Sequence, residues 1–465
     1  MVVRISRAAV AALPIASRPL VEPGSVPTGI VHLGLSAFHR AHQAVYTEQA
    51  VAAAGGDWGI AGVAPHSSGV LDALRAQDGL FSVTDLGPGG GRTRVVGSFS
   101  ALLHASAAPD EVVALIADPA TRVVTLTITE KGYADTGTVP ALLIRALAAR
   151  CRADAGPIAL VSCDNLPSNG RWLRGVIERL ADRPGLRDWV AGQVGFPGTM
   201  VDRIVPATTP AILTEAAAAL GADDLAAVAG EPYRQWVIED DFPGGRPAWE
   251  RAGAVLTGDA QPWERLKLRT LNGVHSAIAY LGALAGRATI ADALTLPGMR
   301  ELLERLIAED IAPTLTPPEG VTVLGYGASV LERFANPAVV YRTVQVAMDG
   351  SQKLPQRVLH TIADRRAAGA DPRWALLVVA AWMRFVQGQA DDGQPLPLDD
   401  PLADEIRACL AAAPAHPAGV VGALLGLRAI FPAALAEDDV VRAGLVEWLT
   451  SLTKHGAAAT VAGAR

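Results

Sequence analysis

The sequence predicts an α/β fold in two parts: residues 1–270 forming a parallel sheet covered by helices, and residues 271–465 forming a mostly α-helical domain. Three observations predict it. Short apolar runs in the first 270 residues are separated by Ala- and Leu-rich segments, an alternation that implies βαβ units. The first of these runs ends in a glycine and opens directly into a helix-permissive segment. From about residue 271 the β-branched runs thin out, and Leu/Ala segments follow one another between Pro and Gly breaks such as "TLPGM", "LTPPEG" and "DDGQPLPLDDP".

The expected elements follow in order. "TGIVHLGL" (28–35) reads as a buried strand and "AFHRAHQAVYTEQAVAAA" as the helix after it. "GIAGVA" (59–64), "RVVGSFSALL" (94–103), "RVVTLTITE" (122–130) and "IALVSCDN" (158–165) read as further buried strands. The longest later apolar run, "WALLVVAAWM" (374–383), is about half a membrane span. "AAAPAHPAGVVGA" (411–423) reads as a loop and helix start, and no internal repeat is present.

Composition narrows the function classes. The chain has 465 residues, of which 50% are apolar and 19% charged, enough for two or three domains with real cores. Net charge is −7, and the 40 basic residues are spread along the chain, which argues against nucleic acid as a partner. Cys151, Cys163 and Cys409 lack zinc spacing and leave one over from any disulfide, as expected in a reducing compartment. The apolar run near the N-terminus is cut short by Pro14, so it does not read as a signal peptide. These features predict a cytoplasmic protein with no membrane partner and no metal site.

Two stretches hold chemistry. In "LGLSAFHRAH" a strand ends at Gly34 and a helix begins, the arrangement by which α/β sheets bind phosphate groups. Ser36 stands where a dinucleotide fingerprint has its second glycine, so by pattern alone an ordinary strand-to-helix turn remains open. After the second strand, "GVAPHSSGVLD" offers His66, Ser67 and Ser68 before any carboxylate. In "KLRTLNGVHSAIAYLG" (267–282), ~100° per residue puts Lys267 on one helical face with Leu271, Val274, Ile278 and Leu281, with Asn272 and His275 on its flank. A lysine on an apolar face is desolvated and suited to act as a general base. The plain alternatives are a snorkelling first-turn lysine and a packed core histidine.

Seven segments, "GLSAFHRAHQAVYT", "LTITEKGY", "VSCDNLPSNG", "FPGTMVDRIVPATTP", "QWVIEDDFPGGRPAWE", "KLRTLNGVHSAIAYLG" and "MDGSQKLPQR", resemble in order the polyol-specific long-chain dehydrogenases. This is the mannitol dehydrogenase family, which includes mannitol 2-dehydrogenase and fructuronate reductase. The resemblance runs from about residue 27 to "SLTKHGAAATV". It implies a Rossmann-like N-terminal domain, a mostly helical C-terminal domain, an active site between them, NAD as cofactor and a monomer. It places the catalytic lysine on Lys267, oxyanion-binding asparagines on Asn165 and Asn272, and a substrate-contacting histidine on His275. A second substrate lysine falls on Lys353, and Glu264 matches a position linked to proton exchange with solvent. Gly34, Ser36, Phe38, His39 and Arg40 become the expected cofactor contacts. The sequence departs from the family at Ser36 and in a shortened connection around 133–140.

The resemblance implies a sugar acid or polyol as the small-molecule substrate. "VYRTVQVAMDGSQKLPQR" is closer to the fructuronate reductase branch, and Arg357, four residues after Lys353, is suited to a uronate carboxylate. The expected reaction interconverts D-fructuronate and D-mannonate. Alternatives are mannitol 2-dehydrogenase or D-arabinitol dehydrogenase activity and, more remotely, a non-catalytic sensor of sugar acid or dinucleotide. Arg357 as a surface residue is the bland reading.

Overall fold

The apolar runs that end in turn residues pair side by side as parallel strands. The computed structural model describes residues 4–87 and 89–464, and the chain forms two compact units, Met1–Gln261 and Pro262–Arg465. Among the described residues, twelve strands lie in the first unit: β1 (Thr28–Leu33), β2 (Gly59–Ala64), β3 (Phe81–Gly87), β4 (Gly90–Val96), β5 (Phe99–His104), β6 (Val123–Leu126), β7 (Ile158–Ser162), β8 (Val194–Gly195), β9 (Thr199–Asp202), β10 (Val228–Gly230), β11 (Gln235–Glu239) and β12 (Val255–Thr257). Six of them form a parallel sheet in the order β5-β2-β1-β6-β7-β8. The order reverses at β1, and in open α/β sheets such a switch point is where ligands bind, beyond the carboxyl ends of the strands.

Alternation along β1 shows why this sheet needs two helical layers. Val31 and Leu33 enter the core shared with helices 109–117, 138–153 and 169–180. Ile30 faces the other way, into the core shared with Tyr46, Leu71, Trp236 and Trp249. Both faces are apolar, so both must be covered.

One expected strand is corrected. "RVVGSFSALL" is not a single strand of the main sheet. β4 ends at Val96 and pairs antiparallel with β3, in a separate sheet ordered β10-β3-β4, while β5 returns to the parallel sheet. The break falls at Gly97, whose N–H is taken by the buried Glu48 carboxylate at 2.7 Å.

The second unit is helical, as expected. "WALLVVAAWM" lies wholly within the helix Arg373–Phe385, where each of its residues is buried. No helix among the described residues is long and apolar enough to cross a membrane. The boundary falls after Gln261 rather than at 270/271. The physical reason is continuity: one helical rod starts at Gln261 and runs to Leu284, so Lys267 belongs with the helices that follow it.

Candidate functional site

In the first unit the candidate site starts at the end of β1. Gly34 has φ 113°, and a Cβ there would lie 2.1 Å from the carbonyl oxygen of Thr127, so only glycine permits β1 to run this close to the strand beside it. Ser36 caps the following helix: its Oγ accepts the N–H of His39 at 3.0 Å and lies 3.2 Å from Thr127 Oγ1. The serine that replaces the fingerprint glycine is therefore engaged in the cap. The first intrahelical bond runs from Arg40 N to Ser36 O, so the N–H groups of Ala37 and Phe38 have no acceptor within the helix. Such a turn presents backbone donors and a positive helix end to an anionic group, which fits the pyrophosphate of a dinucleotide.

Phe38 is half-buried beside this turn, its ring stacked on His42 at 4.9 Å. The side chains of His39 and Arg40 are a correction to the expected cofactor contacts. His39 is fully buried, with its ring stacked 3.3 Å from that of His32. Arg40 is buried too, and Nη1 donates to the carbonyl of Ala226. Both follow the turn by enough residues to fall on the core side of the helix. Beyond β2, His66, Ser67 and Ser68 are exposed.

The loop after β7 presents the exposed Asn165, and residues on either side of it brace the loop. The Asp164 carboxylate accepts the N–H groups of Ile128 and Thr129, each at 3.0 Å, and the Tyr133 hydroxyl at 2.7 Å. Thr129 sits at φ 63°, so this brace fixes a strained residue. Burial pushes the Asp164 carboxyl up, while Tyr133 and the two backbone donors pull it back. Asn169 ties the other end of the loop, donating to the carbonyl oxygens of Asp164 at 3.1 Å and Thr199 at 3.0 Å. The shortened 133–140 connection is thus anchored through Tyr133. Sequence reasoning did not single out Asp164 or Asn169, although a carboxylate just past a strand end was a readable signal.

In the second unit the rod from Gln261 to Leu284 is not a plain α-helix. Residues Lys267–Asn272 form a π turn, flanked by α-helix on both sides. This corrects the expected face. In a regular α-helix, residues five apart are ~140° apart around the axis. A π turn closes i to i+5 and so brings Lys267 and Asn272 to one side. His275, three residues further in α-helix, stays on that side. Lys267 is 7% exposed, and Glu264, half-buried, lies just N-terminal to the turn. Leu271, Val274, Ile278 and Leu281 are buried in the core.

A second π turn, Pro355–Leu359, continues the helix that begins at Gly350 and ends at Ala367. Pro355 does not break it, because the proline opens the π turn, where its missing N–H is tolerated. The two π turns pack on each other through Gly273, where a Cβ would lie 2.9 Å from the carbonyl oxygen of Arg357. The Arg357 side chain is largely buried and donates from Nη1 to Ser276 Oγ at 3.1 Å. It is no surface residue. Lys353 donates to the carbonyl of Met348 at 2.6 Å and lies 3.6 Å from the Asp349 carboxylate. Burial holds the Lys353 ammonium below its usual range, and the Arg357 charge lowers it further.

His275 stands among these cations. Its ring stacks on Phe334 at 4.5 Å, and its buried Nε2 has no hydrogen-bond partner. Burial lowers it to about 3, helped by the charges of Arg357, Lys353 and Arg333. A neutral imidazole with an unused ring nitrogen can donate to or accept from a ligand hydroxyl. Among the described residues no group of His, Cys, Asp and Glu is arranged to hold a metal ion.

Comparison with known proteins fits both halves. Residues 28–251 match the mannitol dehydrogenase Rossmann domain and residues 259–452 the mannitol dehydrogenase C-terminal domain. The uncharacterized oxidoreductase YeiQ of Escherichia coli (strain K12) is 40% identical over 89% of this chain and 90% of its own. The D-mannonate oxidoreductase of the same organism is 39% identical over 97% of this chain and 98% of its own. The structure of Pseudomonas fluorescens mannitol 2-dehydrogenase in a ternary complex with NAD and D-mannitol superposes with a TM-score of 0.86 at 32% identity, covering 98% of both chains.

Proposed function

The chain belongs to the mannitol dehydrogenase family, and on that premise we propose that it is an NAD-dependent oxidoreductase of secondary alcohols that interconverts D-fructuronate and D-mannonate. NAD, held at the turn after β1 by the free N–H groups of Ala37 and Phe38, would supply the hydride acceptor in the oxidative direction. The rest of the work falls to side chains. Lys267 takes the proton of the reacting hydroxyl and returns it in the reductive direction. The Asn272 amide donates to the same oxygen, where negative charge grows in the transition state and a fixed dipole is worth most. Asn165 has the same role by family resemblance. His275, neutral and with Nε2 unused, meets a neighbouring hydroxyl of the sugar chain.

The observation behind the uronate reading is the buried Arg357 guanidinium beside Ser276 and His275, with Lys353 four residues before it. A carboxylate leaving water costs several kcal/mol unless a cation receives it. Lys267 cannot be that cation, since a base paired with a carboxylate is held protonated. The 39% identity to a D-mannonate oxidoreductase supports the same reading. A polyol substrate is the second reading, favoured by the likeness to the mannitol 2-dehydrogenase structure. A mere sensor would have no need of a buried lysine beside an asparagine. NADH oxidation measured in parallel with fructuronate, fructose and xylulose decides: fructuronate should give the highest kcat/KM, and a preference for fructose would overturn the assignment.

A further inference from the structure

The first unit contains a cavity of about 120 Å³ lined by Arg92, Arg94, Arg203 and Arg234, with Asp85, Gln49, Val45 and Val83 completing the wall. Topology gathers these arginines from three places. Arg92 and Arg94 alternate on one face of β4, Arg203 follows β9, and Arg234 precedes β11. None of them belongs to the turn after β1 or to the loop after β7.

The charges do not balance. Arg203, whose side chain is 1% exposed, pairs with Asp85 at 2.5 Å, and its Nε donates to the carbonyl of Glu231 at 3.0 Å. Arg94 lies 3.8 Å from the buried Glu48 carboxylate, too far for a good hydrogen bond. Arg234 donates to Gln49 and sits 4.9 Å above the Tyr46 ring, two partners without charge. Arg92 is exposed and has no carboxylate partner among the described residues. Glu231 adds a third carboxylate near Arg203, so four guanidinium groups face three carboxylates, of which Glu48, pushed up to about 7 by burial, is only partly ionised at neutral pH, leaving an excess of between about one and two positive charges. Arg94 registers both signs: burial holds it below its usual range, Glu48 and Asp85 pull it back up, and the Arg234 and Arg92 charges depress it. Guanidinium forks with spare donors converging on a polar cavity suit a tetrahedral oxyanion. At roughly 30 Å³ per water the space holds about four waters, the room one such group needs. A phosphate group carries about −1.5 to −2 at neutral pH, which matches the excess better than one carboxylate does.

We propose that this arginine-lined cavity is a binding site for a phosphate dianion, either inorganic phosphate or the phosphate group of a small monoester. The hydrogen-bond donors are Arg92, Arg94 and Arg234, while Arg203, locked to Asp85 and backbone, supplies buried charge.

Isothermal titration of the full chain with inorganic phosphate tests it, run with saturating NADH so that the turn after β1 is occupied, and against sodium chloride at matched ionic strength. Phosphate should bind with one-site stoichiometry and chloride should not. Arg234→Gln and Arg92→Ala should each weaken binding about tenfold or more, the worth of one charge-assisted hydrogen bond. Arg92 is exposed, so that variant reports even if Arg234→Gln fails to fold. A hexose 6-phosphate titrated beside free hexose distinguishes the sources: tighter binding than inorganic phosphate assigns the site to a monoester, weaker binding to the free ion. Equal heats with chloride, loss of phosphate binding once NADH is present, or unchanged affinity in both variants would overturn the proposal.

Discussion

Replacing Gly273 with alanine tests whether contact between the two π turns sets the geometry of the site. The added Cβ would lie 2.9 Å from the carbonyl oxygen of Arg357, about half an ångström inside the 3.4 Å at which ordinary contact begins. The obstacle is backbone, so no side chain can rotate away, and one helix must shift against the other. Overpacking of this kind costs about 1–3 kcal/mol, while alanine in place of helical glycine returns up to about 1 kcal/mol. The net effect on stability should therefore be small, on the order of 0–2 kcal/mol. The effect on turnover should be larger than the effect on stability. A misplacement on the order of 1 Å costs about 10²-fold in rate, so a shift of half that size between Lys267 and Arg357 should lower kcat/KM about tenfold. Steady-state kinetics with fructuronate and a thermal melt measure the two quantities. Gly192→Ala is the control: it lies in the helix Pro184–Gln193 with nothing within 4 Å of the new methyl, and should leave kinetics alone. Wild-type kcat and KM in Gly273→Ala would refute the idea that this contact sets the spacing.

Three other expectations follow from the same geometry. Lys267→Ala should lower kcat by ~10²–10⁴ while leaving NADH affinity, read by fluorescence titration, nearly unchanged; a variant keeping a tenth of wild-type kcat would remove Lys267 from proton transfer. Arg357→Met should raise KM for fructuronate by a factor equivalent to about 2–5 kcal/mol and leave fructose nearly untouched, whereas equal weakening of both would make Arg357 structural. Acidification should destabilise the fold. His32, His42 and His275 are held at about 3 by burial, so below pH 6.5 the unfolded chain takes up protons that the folded one refuses, and stability falls as pH drops towards 3. Each is worth ~2 kcal/mol at pH 5. Glu48, pushed up to about 7, and Asp310, to about 6, work in the opposite sense and together return ~4 kcal/mol over the same interval. His39, held well below its usual range by burial, adds to the loss, so denaturant midpoints should show a net loss on the order of 2–4 kcal/mol from pH 7 to 5, and a flat profile would contradict it.

The parallel sheet was legible because its strands are buried on both faces and read as uninterrupted runs without charge; "GIAGVA" coincides with β2 residue for residue. Strands whose fate depends on distant residues were not legible. Nothing local in "RVVGSFSALL" announces that it serves two sheets, since the break at Gly97 is enforced by Glu48, which lies 49 positions earlier in the chain. β9, β11 and β12 form a small sheet of their own from strands of three to five residues, too short to display a period. The domain boundary was misjudged for a related reason: composition changes near 271, but a helix belongs to the unit its buried face packs in.

The candidate stretch around Lys267 shows the same division between pattern and geometry. A helical wheel assumes a constant turn, and on a constant turn Lys267 falls with Leu271 and Val274 while Asn272 sits on the flank. The π turn inserts one residue into that wheel without any proline or other breaker to mark it. "KLRTLNG" contains only ordinary helix-compatible residues up to Gly273, and Gly273 is required by the carbonyl of Arg357, a residue 84 positions away by sequence. A π turn weakens local hydrogen bonding, so it persists where tertiary packing holds it. Here the packing partner is itself a π turn, opened by Pro355. Each distortion makes room for the other. Their joint effect is to bring Lys267, Asn272 and His275 onto one face and to set Arg357 against Ser276, next to His275. A sequence can therefore supply the candidate side chains Lys267, Asn272 and His275 in plain view and still conceal the face they share, because that face is written in the contact between two helices and not in either one.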